Sequence, residues 1–289
     1  MSFLRRLRRE LGSVRQAFRS GRPLGVVRAR RAARERRIAD DAAALGCDPE
    51  EMRSAHDVRR GGVAVLATRF GPVHLRRQDT DLLAIRQVLV DREYDLAGLA
   101  QMDRLRAIYA AHLARGRRPV IIDAGANIGA ASLWFASVFP DAAIVAVEPE
   151  PANAAIARLN LAALPHARLV EAAIGAAPGT VGLRTVENQG WAARTHRDTG
   201  GEGGIAVVTV PDLVAAVPQG RPFIVKVDIE GFESDLFDRN IAWVEQAAAI
   251  IVEPHDWMLP GAGTSQALQA ALFGKGREVL ISGENLIVI

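Results

Sequence analysis

The sequence predicts a doubly wound α/β fold preceded by a helical and hairpin extension, and three observations predict it. A short apolar run, Val120-Ile121-Ile122, leads into a turn from Asp123 to Gly129 and then an apolar helix through Phe135. A second run, Ala143 to Val147, ends in Glu148, about one strand–helix–strand unit further on. Two more runs, Phe223 to Val227 and Ala248 to Val252, each lead directly into acidic residues. Apolar runs of this length, interrupted among these four only by Lys226, read as strands buried on both faces, the pattern of a parallel sheet covered by helices.

Taken in order, the chain begins with a basic arm. The net charge of +3 is unevenly spread: residues 1–40 carry thirteen arginines against Glu10, Glu35 and Asp40, a local balance of +10 that leaves −7 for the rest. Phe3, Leu4, Leu7, Leu11, Val14 and Phe18 recur at helical spacing between the arginines, which predicts a basic amphipathic helix. Such a helix can dock on its own domain, lie on an anionic membrane surface or meet nucleic-acid phosphates. Docking is the simplest of these, and nucleic acid is the least favoured. Gly61 to Arg77 reads as two short strands, Val63 to Thr68 and Val73 to Arg76, and residues 80–114 as helix interrupted at Tyr94 to Leu99. The expected division is an arm over 1–60, a hairpin and helical cap over 61–115 and the main domain over 116–289. Glu278 to Ser282 and Asn285 to Ile289 close the sheet as a hairpin.

Composition excludes several classes. A chain of 289 residues, 49% hydrophobic, can bury a large core. The single cysteine, Cys47, supports neither a disulfide framework nor a cysteine zinc site. No apolar run approaches the roughly 20 residues that span a bilayer. The expectation is a cytoplasmic protein, with peripheral contact to an anionic inner-membrane surface through residues 1–40.

The Asp123 turn narrows the ligand. Glycines at 125 and 129 let backbone approach a ligand, and the following helix presents free N–H groups. A pyrophosphate site avoids an acid at this position, whereas a ligand carrying sulfonium and ammonium groups tolerates one. The dinucleotide pattern fails on spacing as well, because G-x-G-x-x-G counted from Gly125 requires glycines where Asn127 and Ala130 stand. An acid at the end of the second strand, Glu148, can accept both ribose hydroxyls.

Together, Ile122 to Gly129, Val147-Glu148-Pro149 and the run Lys226-Val227-Asp228-Ile229-Glu230-Gly231-Phe232-Glu233 resemble the FkbM-type methyltransferases, a branch of the class I S-adenosylmethionine-dependent enzymes. The likeness covers about residues 62–289 and stops short of the arm. It implies a sheet of order 3-2-1-4-5-7-6 with the last strand antiparallel, S-adenosylmethionine as cofactor, and O-methylation of a hydroxyl on a sugar or other natural-product acceptor.

Expected cofactor contacts are Asp123, Gly125, Asn127, Gly129, Glu148 and Asp228; expected catalytic residues are Glu230, Glu253 and His255. If the strand ending at Val227 stayed extended, Lys226, Asp228 and Glu230 would share one side, and the neighbouring strand would bring Glu253 and His255 to them. His255 or a carboxylate can then remove the hydroxyl proton. Alternatively, Asp228, Glu230, Glu253 and His255 can hold Mg²⁺ or Mn²⁺. Plainer roles compete: Asp228 and Glu230 can cap the next helix or pair with Lys226, His255 can be a bonded core histidine, and Trp191 and Trp257 can simply pack. A glycine-rich insertion over 186–204, including Asn188 and Gln189, suits a mobile lid. The rival functions are a nucleic-acid methyltransferase using the arm and a non-catalytic membrane-associated module.

Overall fold

Residues 1–78 and 79–289 fold as two separate units, and the computed structural model describes residues 23–77, 79–185, 193–197, 204–258 and 260–289. The amphipathic helix expected over residues 3–19 lies outside the described residues. In the first unit, α1 (Pro23–Leu45) buries Ile38, Ala42 and Leu45 while its arginines from Arg28 to Arg37 stay exposed. Asp48 caps α2 (Pro49–Ala55) by accepting the Glu50 N–H at 2.8 Å, and Pro49 starts the helix without wasting a donor. Arg53 reaches back from α2 to Glu35 at 2.9 Å. An antiparallel hairpin follows, β1 (Val63–Thr68) and β2 (Gly71–Arg76), with Ala64 and Leu66 buried and Val63 and Val65 exposed, the alternation of a one-sided sheet. The hairpin therefore groups with the arm, and the helices after residue 79 group with the main sheet, a different partition from the expected 61–115 cap.

The second unit opens with α3 (Asp79–Ile85), which runs into a π-helical turn at Arg86–Val90, and α4 (Met102–Ala114). The interruption between them spans the expected Tyr94 to Leu99. There follow β3 (Arg118–Ala124), α5 (Ala130–Val138), β4 (Ala143–Val147), α6 (Pro151–Leu161) and β5 (Ala167–Val170). Four short strands come next: β6 (Ala173–Ile174), β7 (Gly179–Thr185), β8 (Ala193–Arg197) and β9 (Ile205–Val208). Then α7 (Val210–Ala215) leads to β10 (Gly220–Val227), α8 (Glu233–Leu236), α9 (Ala242–Gln246), β11 (Ala249–Val252), α10 (Gln266–Leu272), β12 (Val279–Ser282) and β13 (Asn285–Val288).

The main sheet has the order β12-β13-β11-β10-β3-β4-β5. Counted by its own strands and read from the β5 edge, this is the expected 3-2-1-4-5-7-6, with β13 antiparallel to both neighbours. β10 lies between β3 and β11, all parallel, and in register Val227 stands opposite Ala124 and Val252. The carboxyl ends of these strands thus finish together, where open α/β sheets bind ligands. The sheet is apolar on both faces: Val120, Ile122, Val225, Val227, Ile250 and Val252 form one buried cluster on one face, and Ile121, Ile224 and Ile251 are buried on the other.

The segments flanking the 186–204 insertion read as hairpin-like, and the structure assembles them into a second sheet, β6-β9-β7-β8, inserted between β5 and α7. Within the expected 186–204 lid, Ala193–Arg197 is a strand paired with β7, which corrects the loop expectation for that stretch. Residues 186–192 and 198–203, including Asn188, Gln189 and Trp191, lie outside the described residues. Among the described residues, no helix is long and apolar enough to cross a membrane.

Candidate active site

The turn after β3 is built by crowding. Gly125 and Ala126 both donate their N–H groups to the Val147 carbonyl at 3.0 Å, so the β3 turn is stitched to the end of β4. Gly125 has φ +74°, and a Cβ there would stand 1.8 Å from the Asp228 carbonyl oxygen. The sequence reading gave this glycine to ligand approach; the nearer obstacle is the chain itself. Gly129, at φ +84°, begins α5 and faces Ala157 and Leu161 of α6. It is a helix-packing residue, absent from the cleft lining. Asn127, at φ +51°, does line the cleft and donates its N–H to Glu148 Oε2 at 2.8 Å. Asn160, which the sequence reading passed over, braces the same turn from α6 by donating to the Ile128 carbonyl at 2.7 Å.

Asp123 is corrected more strongly. It is fully buried, with Oδ2 accepting from Ser132 at 2.7 Å and Oδ1 3.2 Å from the Lys226 ammonium. The acid of the turn faces a lysine inside the fold and does not line the cleft. Lys226 donates in addition to the carbonyls of Gly125 at 2.7 Å and Ala124 at 3.3 Å, and stands 3.7 Å from Asp228 Oδ2. The Tyr94 ring covers it at 5.8 Å. Burial pulls the ammonium pKa down, but the carboxylates of Asp123 and Asp228 outweigh it and hold Lys226 above an ordinary lysine.

Glu148 sits at the end of β4 with its carboxylate buried. Besides Asn127, it accepts the Glu150 N–H at 3.0 Å. Burial dominates and raises its pKa to about 6, against the lowering effect of those N–H bonds. Gly125, Asn127, Glu148, Asp228 and Glu230 line a single cleft, closed on the second-sheet side by Ile174 and Phe232.

The chain beyond β10 does not stay extended. Asp228 still bonds as a strand continuation, its N–H donating to the Ala124 carbonyl at 3.1 Å, but Glu230 and Gly231 are left-handed at φ 54° and 96°. For Glu230 this costs roughly 1–2 kcal/mol. The turn throws Glu230 back toward β11 and starts α8 at Glu233, with no side-chain cap from Asp228 or Glu230.

Just past the end of β11, Glu253 is held by its N–H to the Val227 carbonyl at 3.0 Å, and His255 follows two residues later. His255 is 2% exposed. Its Nδ1 bonds Glu233 Oε1 at 2.8 Å, and its Nε2 lies 3.6 Å from Asp228, 3.7 Å from Glu253 and 3.8 Å from Glu230. The four residues expected to converge do converge. Glu233 completes the group and was missed as a site residue, although it is the last acid of the Lys-x-Asp-x-Glu-Gly-x-Glu run. Glu93 was also missed: it comes from the segment before α4 and is bonded by Gln87 at 2.9 Å and Asn285 at 3.2 Å.

Electrostatically the group is acid-rich. Burial, then Asp228, raises Glu230 to about 7 and Glu253 to about 8. His255 goes to about 9, burial opposing and the Glu233 bond prevailing. Glu93 is raised too, chiefly by burial. Trp257, 53% exposed, stands with its ring 6.4 Å from that of His255.

Comparison with the curated proteins finds no match. Among solved structures, the chain is similar to a putative caffeoyl-CoA O-methyltransferase from Staphylococcus aureus, at 11% identity over 72% of this chain and 95% of that one, with a TM-score of 0.37. It is also similar to the O-methyltransferase TomG from Streptomyces achromogenes in complex with SAM, at 16% identity over 73% and 88% of the two chains, TM-score 0.37. A precorrin-6y C5,15-methyltransferase from Geobacter metallireducens GS-15 aligns at 16% identity over 63% and 84%, TM-score 0.34. The methyltransferase FkbM domain matches residues 123–270, just over half of the chain and the span from the β3 turn through the His255 group to α10, so the chain belongs to the FkbM methyltransferase family.

Proposed function

We propose that the protein transfers the methyl group of S-adenosylmethionine to a hydroxyl of a small-molecule or glycan acceptor. The observation that supports this reading is that Asp228 and Glu230 belong at once to the cleft lined by Gly125, Asn127 and Glu148 and to the group around His255. In this reading, Asn127 and Glu148 hold the nucleoside of the donor, with the free lone pairs of Glu148 receiving ribose hydroxyls. The methyl group is directed at the acids, and the acceptor hydroxyl lies among them.

The chemistry balances simply. The acceptor oxygen attacks the methyl carbon as the sulfonium–carbon bond breaks, neutral S-adenosylhomocysteine leaves, and the hydroxyl proton passes to the His255 group. The carboxylate charge beside the methyl, which grows as Glu230 and Glu253 ionise above about pH 7 to 8, also favours a cationic donor over its neutral product.

The test is transfer of labelled methyl from S-adenosylmethionine into pools of sugars and hydroxylated metabolites. Wild type should label an acceptor in an alkali-stable ether linkage. His255→Ala should bind the donor normally and lose about 100-fold or more in turnover. Donor binding without transfer to any pool, or His255→Ala and Glu253→Ala variants of normal turnover, would refute the reading.

A further inference from the structure

His255 is held from one side by the buried Glu233, whose Oε1 lies 2.8 Å from Nδ1, and this bond turns Nε2 toward Asp228, Glu253 and Glu230. Around Nε2 stand three carboxylate oxygens at nearly equal range, Asp228 Oδ1 at 3.6 Å, Glu253 Oε1 at 3.7 Å and Glu230 Oε2 at 3.8 Å. A charge-assisted N–H···O bond closes to about 2.7–2.9 Å, and none of the three has done so. Glu230 Oε2 is itself a buried oxygen without a hydrogen-bond partner among the described residues. The nearest ammonium, Lys226, uses its short bonds on the Gly125 carbonyl and Asp123.

This spacing suits something larger than a proton at the centre. Ligand atoms from Asp228, Glu253 and His255 all lie within 4.8 Å of one another. Two ligands each about 2.1–2.2 Å from one ion are about 3.0 Å apart at the right angles of an octahedron and about 4.3 Å across it, so separations of 3.6–3.8 Å fall between the two and need only a small side-chain adjustment to hold an ion. A carboxylate donating order to the far nitrogen of a ligating imidazole is the usual support behind such a ligand. We infer that Asp228, Glu253 and His255, with Glu230 as a fourth ligand, bind one divalent cation of the Mn²⁺ and Mg²⁺ class, and that Glu233 positions the imidazole. The donor set is oxygen-rich and contains no thiolate, which selects hard ions, and the single imidazole favours Mn²⁺ over Mg²⁺.

What the ion does rests on the methyl-transfer reading: a hydroxyl bound to it loses its proton more readily and presents an alkoxide to the methyl carbon. Where the ion binds does not rest on that reading.

The experiment is therefore run without donor or acceptor. Chelator-treated full chain is titrated with Mn²⁺, and free Mn²⁺ is followed by its electron paramagnetic resonance signal. One ion per chain is expected, displaced by excess Mg²⁺. Asp228→Asn should weaken it about 10-fold or more, Glu233→Gln should weaken it roughly 10- to 100-fold, and Glu148→Gln, in the nucleoside part of the cleft, should leave it unchanged. His255→Ala strands a buried carboxylate, so the decisive variant is Asp228→Asn at a partly exposed side chain. Absence of saturable binding at millimolar Mn²⁺, or wild-type affinity in Asp228→Asn, overturns the inference and leaves proton abstraction as the route for methyl transfer. A failed acceptor search with intact Mn²⁺ binding would instead reject the activity and keep the site.

Discussion

Gly125→Ala is the sharpest test of how the site is assembled. The new methyl group would meet the Asp228 carbonyl oxygen at 1.8 Å and its carbon at 2.9 Å, whereas non-bonded contact needs about 3.2 Å or more. The Asp228 peptide must therefore retreat by roughly 1.4 Å. That movement breaks its N–H bond to Ala124 and disturbs the Lys226 bond to the Gly125 carbonyl, about 1 kcal/mol each. The left-handed φ of +74° adds roughly 1–2 kcal/mol. The lower entropy of unfolded alanine returns about 0.4–1 kcal/mol, leaving a net loss of about 2–3 kcal/mol. Gly116→Ala is the control, since Gly116 has a similar φ of +66° with nothing within 4 Å of its Cβ position, and it should lose only the strain. All four tryptophans, Trp134, Trp191, Trp243 and Trp257, belong to the second unit, so urea unfolding followed by tryptophan fluorescence reports that unit. Equal stabilities of Gly125→Ala and Gly116→Ala, within about 0.5 kcal/mol, would refute the crowding argument.

Donor affinity should depend on pH through Glu148. Its pKa is raised to about 6, so the carboxylate proposed to receive ribose hydroxyls is present above that value and lost as pH falls through it. Calorimetry between pH 5 and 8 should show affinity falling below about pH 6, the Glu148 part by at most about tenfold per unit; Glu148→Gln should lose that part and keep the dependence that Glu230 and Glu253 contribute around pH 7 to 8, and an unchanged slope below pH 6 in that variant would reject the role. The same raised pKa means that ionised Glu148 costs folding stability as pH rises from 4.5 through 6. Lys226→Met should destabilise by about 3–5 kcal/mol because it leaves Asp123 buried without its ion pair. Adding Asp123→Asn should recover much of that loss in thermal melts, and a double variant no better than the single would show that Asp123 is not the reason.

Much of this architecture is legible in the chain because burial on both faces leaves an unbroken apolar signature. Val120 to Ile122, Ala143 to Val147 and Ala248 to Val252 announce their strands, and the acids at their ends announce the working edge. Contacts between distant residues carry no such signature. The Lys226 partner of Asp123 is 103 positions away, so an acid destined for an internal ion pair reads the same as one facing a ligand. Gly125 likewise looks open until Asp228 is placed over it. Glu233 was hidden by the left-handed turn at Glu230, since period-two reasoning ends where the strand does. Glu93 reaches the site from the segment Val90 to Tyr94, which resembles the family's approach to the domain but gives no sign that its acid meets the ends of β10 and β11. The weakly patterned strands β6 to β9 alternate too briefly for a clear period.

The left-handed Glu230 bears on natural variation. Glycine at that position would relieve the backbone and remove a buried carboxylate from among its own kind, so a chain judged on folding alone gains by the exchange. Glutamate is the less stable choice, and the role proposed for it beside His255 is what recommends it. In a descendant released from catalysis, codon 230 is a place where drift toward glycine is rewarded by robustness, while the apolar strand positions remain under the same constraint as before. A glycine there, on an otherwise intact sheet, would be an early sign that a relative has become a pseudoenzyme.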